Sequence, residues 1–180
     1  MAGEKTFTFN LSEEIDRFLT DSSLSTGQPE PRCVLLMGGV ATGKTTIRKS
    51  QYSQGYVVLD AGEIFLKLCR GEYYAFGEAF EESVDVIGGH VACRAIAERR
   101  NIVTELIGGD YDQAASVIEA MKAEGYKVEV VAVHCDIETA VQRNLNRGPD
   151  SISAYFTEPY HIRWITHAAA RISSDCGGER

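Results

Sequence analysis

Eight residues constrain this chain more than any others. Gly38-Gly39-Val40-Ala41-Thr42-Gly43-Lys44-Thr45 satisfies the pattern G-x-x-x-x-G-K-[ST] in full. The segment follows an apolar run, Cys33-Val34-Leu35-Leu36-Met37, and leads into Thr46-Ile47-Arg48-Lys49, which reads as the start of a helix. A phosphate-binding loop requires that strand–loop–helix setting. Its glycines let the backbone turn tightly, so that successive N–H groups converge on an anion, and the helix N-terminus adds partial positive charge. In such a loop the lysine, here Lys44, reaches the β- and γ-phosphates, and the hydroxyl of Thr45 ligates Mg²⁺. Gly38 to Thr46 are therefore expected to hold a nucleoside triphosphate, ATP, together with Mg²⁺.

The residues around the loop predict the rest of the architecture. Four short apolar runs, Cys33–Met37, Tyr56–Asp60, Ile102–Leu106 and Lys127–Val133, are rich in β-branched residues and bounded by glycine or charge. Those are the marks of parallel strands buried on both faces. Between them lie helical stretches near Lys44–Ser50, Ile64–Cys69, Phe80–Arg100 and Asp112–Glu124, the last closed by Gly125 as a C-cap. Asp136 can cap a further helix through Ile137–Asn146, placing Arg143 and Arg147 four apart on one face. The alternation predicts an α/β three-layer P-loop fold with a parallel sheet, whose ligands bind at the carboxyl ends of the strands.

Outside that core, residues 1–31 read as an N-terminal appendage and linker. Within it, Lys5–Phe9 suits a short edge strand, and Asn10 with Glu13 resembles a helix N-terminus. Residues 32–173 form the P-loop domain. In it the polar stretch Gly148–Pro159 reads as a lid loop, and about Tyr160–Ile172 as a final amphipathic helix. Residues 174–180 read as a flexible tail.

Composition narrows the function. A net charge of −8 argues against broad binding of nucleic acid or of anionic membranes, so phosphate attraction must be local. Lys44, Arg48, Lys49, Arg143 and Arg147 could supply that local cluster. No apolar run approaches the roughly 20 residues needed to span a bilayer, and no signal peptide is evident. Five scattered cysteines without a C-x-x-C pair suit reduced thiols in a cytoplasmic protein. The four histidines show no metal-ligand spacing.

Phosphoryl transfer needs a carboxylate to take the acceptor proton, a cation site, and positive charge for the transferring group. The second strand delivers Asp60 and, three residues on, Glu63. This pair suits a general base and a metal or substrate ligand, and equally a helix cap with its box partner. Glu105 ends the third strand inside an apolar run, where an unpaired carboxylate is costly. It needs Mg²⁺, a basic side chain or a substrate hydroxyl; a structural ion pair with Arg94 is the plainer alternative. Arg143 and Arg147, just before the lid, could clamp phosphates and stack on adenine. Tyr155, Phe156 and Tyr160 could either cover a substrate or anchor the loop.

From about Val34 to Pro159 these residues resemble the zeta-toxin family of P-loop kinases. The likeness rests on Gly38–Thr46, Val57-Val58-Leu59-Asp60, Asn101-Ile102-Val103-Thr104-Glu105, Ala123-Glu124-Gly125-Tyr126 and Arg143–Arg147. The resemblance implies an ATP-dependent kinase that phosphorylates a sugar hydroxyl of UDP-N-acetylglucosamine, and a small antitoxin partner. It implies phosphate and Mg²⁺ binding by Lys44 and Thr45, Glu105 as the strand-end acid, and Arg147 as a phosphate-contacting arginine. Three departures separate this chain from the pattern. The second strand of the family ends in D-x-D with the second Asp as base, where this chain has Gly62 and then Glu63. An arginine usual after the strand-end acid is replaced by Gly108-Gly109-Asp110, and a lid arginine is missing near Tyr155-Phe156. The chain is also expected to end before the fifth strand typical of the fold, so the fourth would be an exposed apolar edge. That edge is expected to be covered by Lys5–Phe9 or by a second subunit in a homodimer. The expected function is thus a Mg²⁺- and ATP-dependent small-molecule kinase acting on a hydroxyl, with Asp60 or Glu63 as base. The alternatives are a kinase of another acceptor (nucleoside, antibiotic, polynucleotide 5′ end) and a non-catalytic ATP-binding toxin–antitoxin module.

Overall fold

Continuous apolar runs become the sheet. In the computed structural model, which describes residues 9–20, 26–69, 78–107 and 111–147, strand β1 (Arg32–Met37) is buried from Cys33 through Met37. Strands β2 (Val57–Leu59), β3 (Ile102–Leu106) and β4 (Lys127–Ala132) join it in the order β2-β3-β1-β4, all parallel. Between and around them run α1 (Leu11–Thr20), α2 (Lys44–Gln51), α3 (Ala61–Cys69), α4 (Glu78–Ala97), α5 (Tyr111–Ala123) and α6 (Ile137–Leu145).

Alternation along each strand divides the side chains between two layers of packing. Cys33, Leu35 and Met37 of β1 join Val57, Ile102, Val128 and Val130 on one face. There they meet Phe18 and Leu19 of α1, Ile64, Phe65 and Leu68 of α3, Val84, Ile87 and Val91 of α4, and Ala114 of α5. Val34, Leu36, Val103 and Val131 face the other way, against Ile47 of α2 and Tyr52. Burying each such aliphatic side chain contributes about 1.5–3 kcal/mol, which makes the two apolar layers the main stabilising term. A third, smaller cluster seats Ala140 and Val141 of α6 on Val40 and Ala41 of the glycine-rich loop after β1. The three-layer α/β fold is thus the one that the alternation of runs predicts.

The helix ends follow local chemistry. Asn10 accepts the Ser12 amide at 3.1 Å and donates to Glu13 at 3.0 Å, starting α1. Asp136 accepts the Thr139 amide at 3.0 Å, starting α6. At the end of α5 the Gly125 amide bonds to Lys122 O and the Tyr126 amide to Met121 O, both at 3.0 Å. This is a Schellman closure.

Boundaries near the site differ from expectation. Strand β2 stops at Leu59 and α3 begins at Ala61, because Asp60 takes the Glu63 amide at 2.9 Å and caps the helix there. Helix α4 ends at Ala97 rather than near Arg100. Helix α6 ends at Leu145, so Arg147 lies beyond it and does not share its face with Arg143. Strand β4 is an edge among the described residues, only partly covered. Of the segment expected to cover it, residues 5–8 lie outside the described residues, and Phe9 packs with Leu11 and Ile15 against the larger core. Lid, final helix and tail, together with Gly108-Gly109-Asp110, also lie outside them.

Candidate active site

The strand order places β1 between β3 and β4, so the loop leaving β1 opens at the middle of the sheet's carboxyl edge. Backbone bonds from the Gly38 amide to Leu106 O (3.2 Å) and from the Val133 amide to Met37 O (2.7 Å) anchor its root. Ala41 at φ 60 and Gly43 at φ 108 bend the chain so that α2 starts at Lys44. No side chain caps that helix, and its first turn holds no acid. Uncapped amides at a helix N-terminus favour an anion there.

Lys44 folds back into the loop. Its Nζ donates to Gly38 O at 2.9 Å and to Gly39 O at 2.8 Å, and the residue is only 7% exposed. Burial lowers its pKa to about 8, against the opposing pull of Glu105 and Asp60, while Arg147 lowers it further. A buried ammonium resting on carbonyls is the group an incoming phosphate would recruit. Thr42 Oγ1 donates to Gly39 O at 3.0 Å and braces the loop.

Gly38 carries a sharp prediction. A Cβ there would lie 2.4 Å from Val133 O and 2.8 Å from Thr42 Oγ1. Gly38→Ala should therefore displace the loop root, lower stability by about 1–3 kcal/mol and weaken ATP binding in the same variant. Thermal melting and ATP titration together check this. Gly43→Ala meets open space and should cost only backbone strain, about 1–2 kcal/mol.

Opposite the loop stand three carboxylates. Glu105, beside Leu36 in the register of β3 with β1, accepts from Thr45 Oγ1 at 2.9 Å and from Arg48 Nε at 2.6 Å. Its side chain is 8% exposed. Glu63 accepts from Arg48 Nη2 at 2.6 Å and is 26% exposed. Asp60 caps α3, and burial, followed by the charge of Glu105, raises its pKa above the usual carboxylate value. The fold therefore binds the Asp60 proton more tightly than the unfolded chain does. Asp60's contribution to stability is present below the ordinary pKa of 3.8 and is lost as pH rises through the raised value. Asp60→Asn, which keeps the cap, should remove that slope from a pH series of denaturant titrations.

Several expectations need correcting. Arg94 is not the partner of Glu105; it pairs with Asp16 and Glu98, on the side where α1 meets α4. Arg48 does not join a cluster open to phosphate but is buried between two acids. Glu63 does not complete a capping box, since its carboxylate turns to Arg48 rather than back to Asp60. Arg143 is exposed and forms no ion pair with a described residue, whereas Arg147, also exposed, lies near enough to Lys44 and Glu105 for their charges to act on one another. Thr45 and Thr46 are exposed in the first turn of α2. Sequence reasoning missed Arg48 as the link between the acids. The available signal was its spacing, three residues from Thr45 and four from Lys44, which puts all three on one face of α2.

The donor set fits ATP and a small hard cation. Uncapped amides, Lys44 and Arg147 suit the phosphates. Thr45 and Glu105 offer two oxygen ligands, and Mg²⁺ is ordinarily held by one or two protein groups plus phosphates and water. Among the described residues no group of three His, Cys, Asp or Glu could hold a metal unaided. No helix of the described residues is long and apolar enough to cross a membrane.

Comparison with known proteins adds an independent line. The family model for zeta toxin matches residues 15–172. No curated protein matches the chain. Among solved structures, one from the PezAT chromosomal toxin–antitoxin system of Streptococcus pneumoniae is similar at a TM-score of 0.61 and 17% identity, covering 81% of this chain and 63% of that one. The AvrRxo1-ORF1:AvrRxo1-ORF2 structure with sulphate ions is similar at 0.59 and 18%, over 89% and 51%. The same pair with ATP reaches 0.52 and 19%, over 79% and 47%. At these identities the likeness is one of fold, and this chain spans between about half and two-thirds of those chains.

Proposed function

We propose, from the fact that this chain belongs to the zeta toxin family, that it is a Mg²⁺- and ATP-dependent kinase passing the γ-phosphate to a hydroxyl of a small molecule, a nucleotide sugar such as UDP-N-acetylglucosamine. The observation that carries this reading is the site's polarity. A buried lysine and uncapped amides lie on one side, and three carboxylates on the other, across the carboxyl edge of the sheet. Binding alone would need only the first half; the acids supply the means to handle an acceptor proton and a cation.

Most residues of the site have a task in that reaction. Gly38 to Thr46 wrap the phosphates, and Lys44 leaves its carbonyl partners to meet the β- and γ-phosphates. Arg147 adds positive charge at the transferring group, and Arg143, on the surface of α6, would reach the nucleotide from outside. Thr45 and Glu105 would hold Mg²⁺, whose charge offsets that accumulating on the phosphoryl oxygens. A carboxylate at the end of β2, Asp60 or Glu63, takes the acceptor proton. As the acceptor oxygen bonds to the γ-phosphorus, the bond to the β–γ bridging oxygen breaks and its electron pair leaves with ADP.

Family membership also motivates an antitoxin-like protein partner, and the toxin–antitoxin structure of similar fold supports it. The kinase reading is tested by incubating the chain with Mg²⁺, γ-labelled ATP and UDP-N-acetylglucosamine, then a pool of other hydroxyl acceptors. Label should move to an acceptor. Label found only in inorganic phosphate, with every acceptor, would refute it.

A further inference from the structure

Arg48 is the charged side chain of the site to which the proposed reaction gives no task. It projects from α2 one turn beyond Lys44, with its side chain 6% exposed. Its two bonds, both 2.6 Å, use different arms: Nε to Glu105 and Nη2 to Glu63. These acids come from β3 and α3, so one planar guanidinium ties three elements together, as a lysine's point charge could not. Holding Oε1 of Glu105 leaves Oε2 for Thr45 at 2.9 Å.

The same clamp separates the two carboxylates at the end of β2. Glu63 is engaged through Oε1 and lines, with Arg48, Tyr56, Val58 and Lys67, a cleft that takes in no residue of Gly38–Thr45. Asp60 is bonded through its backbone-capping oxygen and forms no ion pair with a described residue. Its charge acts on that of Lys44 in the loop.

We infer that Arg48 is a positioning residue: it aims Glu105 at Thr45 as a cation-holding pair and keeps Glu63 out of proton transfer, so that Asp60 takes the acceptor proton. The assignment of Asp60 rests on the kinase reading; the cation pair does not. In the step itself the acceptor O–H proton passes to a carboxylate oxygen of Asp60, the new O–P bond forms, and ADP departs with the electrons of the broken bond.

The test uses the full chain and two readouts. ATP affinity is titrated with Mg²⁺ and with chelator, and ATP consumption is followed with UDP-N-acetylglucosamine or with water as acceptor. R48M should bind ATP in chelator within about threefold of wild type, yet lose most of the tightening that Mg²⁺ brings. R48K keeps the charge without the two-armed bridge and should lose that tightening too, with circular dichroism showing it folded. If R48M does not fold, R48K decides alone. D60N should lower kcat by about a hundredfold or more with ATP affinity unchanged, the scale of a lost general base. E63Q should lose no more than about tenfold. Full Mg²⁺ tightening in R48M or R48K would overturn the positioning role, and a kcat loss in E63Q as large as that in D60N would make Glu63 the base. A wild-type chain that binds ATP with Mg²⁺ but never consumes it would overturn the kinase reading and the role of Asp60 together, while the titrations would still decide Arg48.

Discussion

Lys44→Ala is expected to reduce phosphoryl transfer by on the order of 10³-fold, the scale on which single cationic donors to a transferring phosphoryl group act. The same change should leave the nucleotide-free protein no less stable. With its pKa near 8 instead of 10.5, the charged amine costs the empty fold roughly 3 kcal/mol. Against this, alanine forfeits the bonds to Gly38 O and Gly39 O, worth about 1–2 kcal/mol. The balance favours the variant below pH 8. Because the unfolded chain holds this proton more tightly, wild-type stability rises between pH 8 and 10.5, and the advantage of the variant fades over that window. Melting curves at pH 7 and pH 10, set beside ATP turnover, test both halves. Unaltered turnover would remove Lys44 from the reaction, and a fold that collapses without it would show the lysine to be structural.

Glu105→Ala should have the largest effect on stability. It strips the buried Arg48 of one of its two acids and removes the acceptor for the Thr45 hydroxyl. Breaking one partner from a buried ion pair costs about 3–5 kcal/mol, which in a chain of this size lowers the melting temperature by roughly 10 °C. Glu105→Gln keeps an oxygen for Arg48 and should lose less than half of that. Both variants should lose the tightening of ATP binding by Mg²⁺. They should also let the Asp60 carboxyl fall back toward its usual range, since the charge of Glu105 helps to raise it. If Glu105→Gln bound ATP with Mg²⁺ as tightly as wild type, Glu105 could not be a metal ligand.

Much of this architecture is legible in the chain because its signals are local. Parallel strands buried on both faces leave unbroken apolar runs, which is why Cys33–Met37 and Ile102–Leu106 stand out. Asn10, Asp136 and Gly125 mark helix ends through bonds to neighbours two to four residues away. The loop itself is a contiguous motif. What could not be read is the pairing of charges across long separations. Arg48 and Glu105 stand 57 residues apart, and nothing nearby in sequence says that this arginine rather than Arg94 meets that acid. Local and distant chemistry also compete at Asp60, where helix capping shortens β2 and starts α3 three residues before the apolar pattern suggests.

The small cluster joining Val40 and Ala41 to Ala140 and Val141 has a mechanical corollary. Ala140 is 0% exposed, and interiors packed to crystal-like density pass displacement on instead of absorbing it. The outer wall of the glycine-rich loop and the helix that precedes Arg147 are therefore mechanically joined. A displacement of either is expected to reach the other, and a methyl group added on that hidden seam to disturb both.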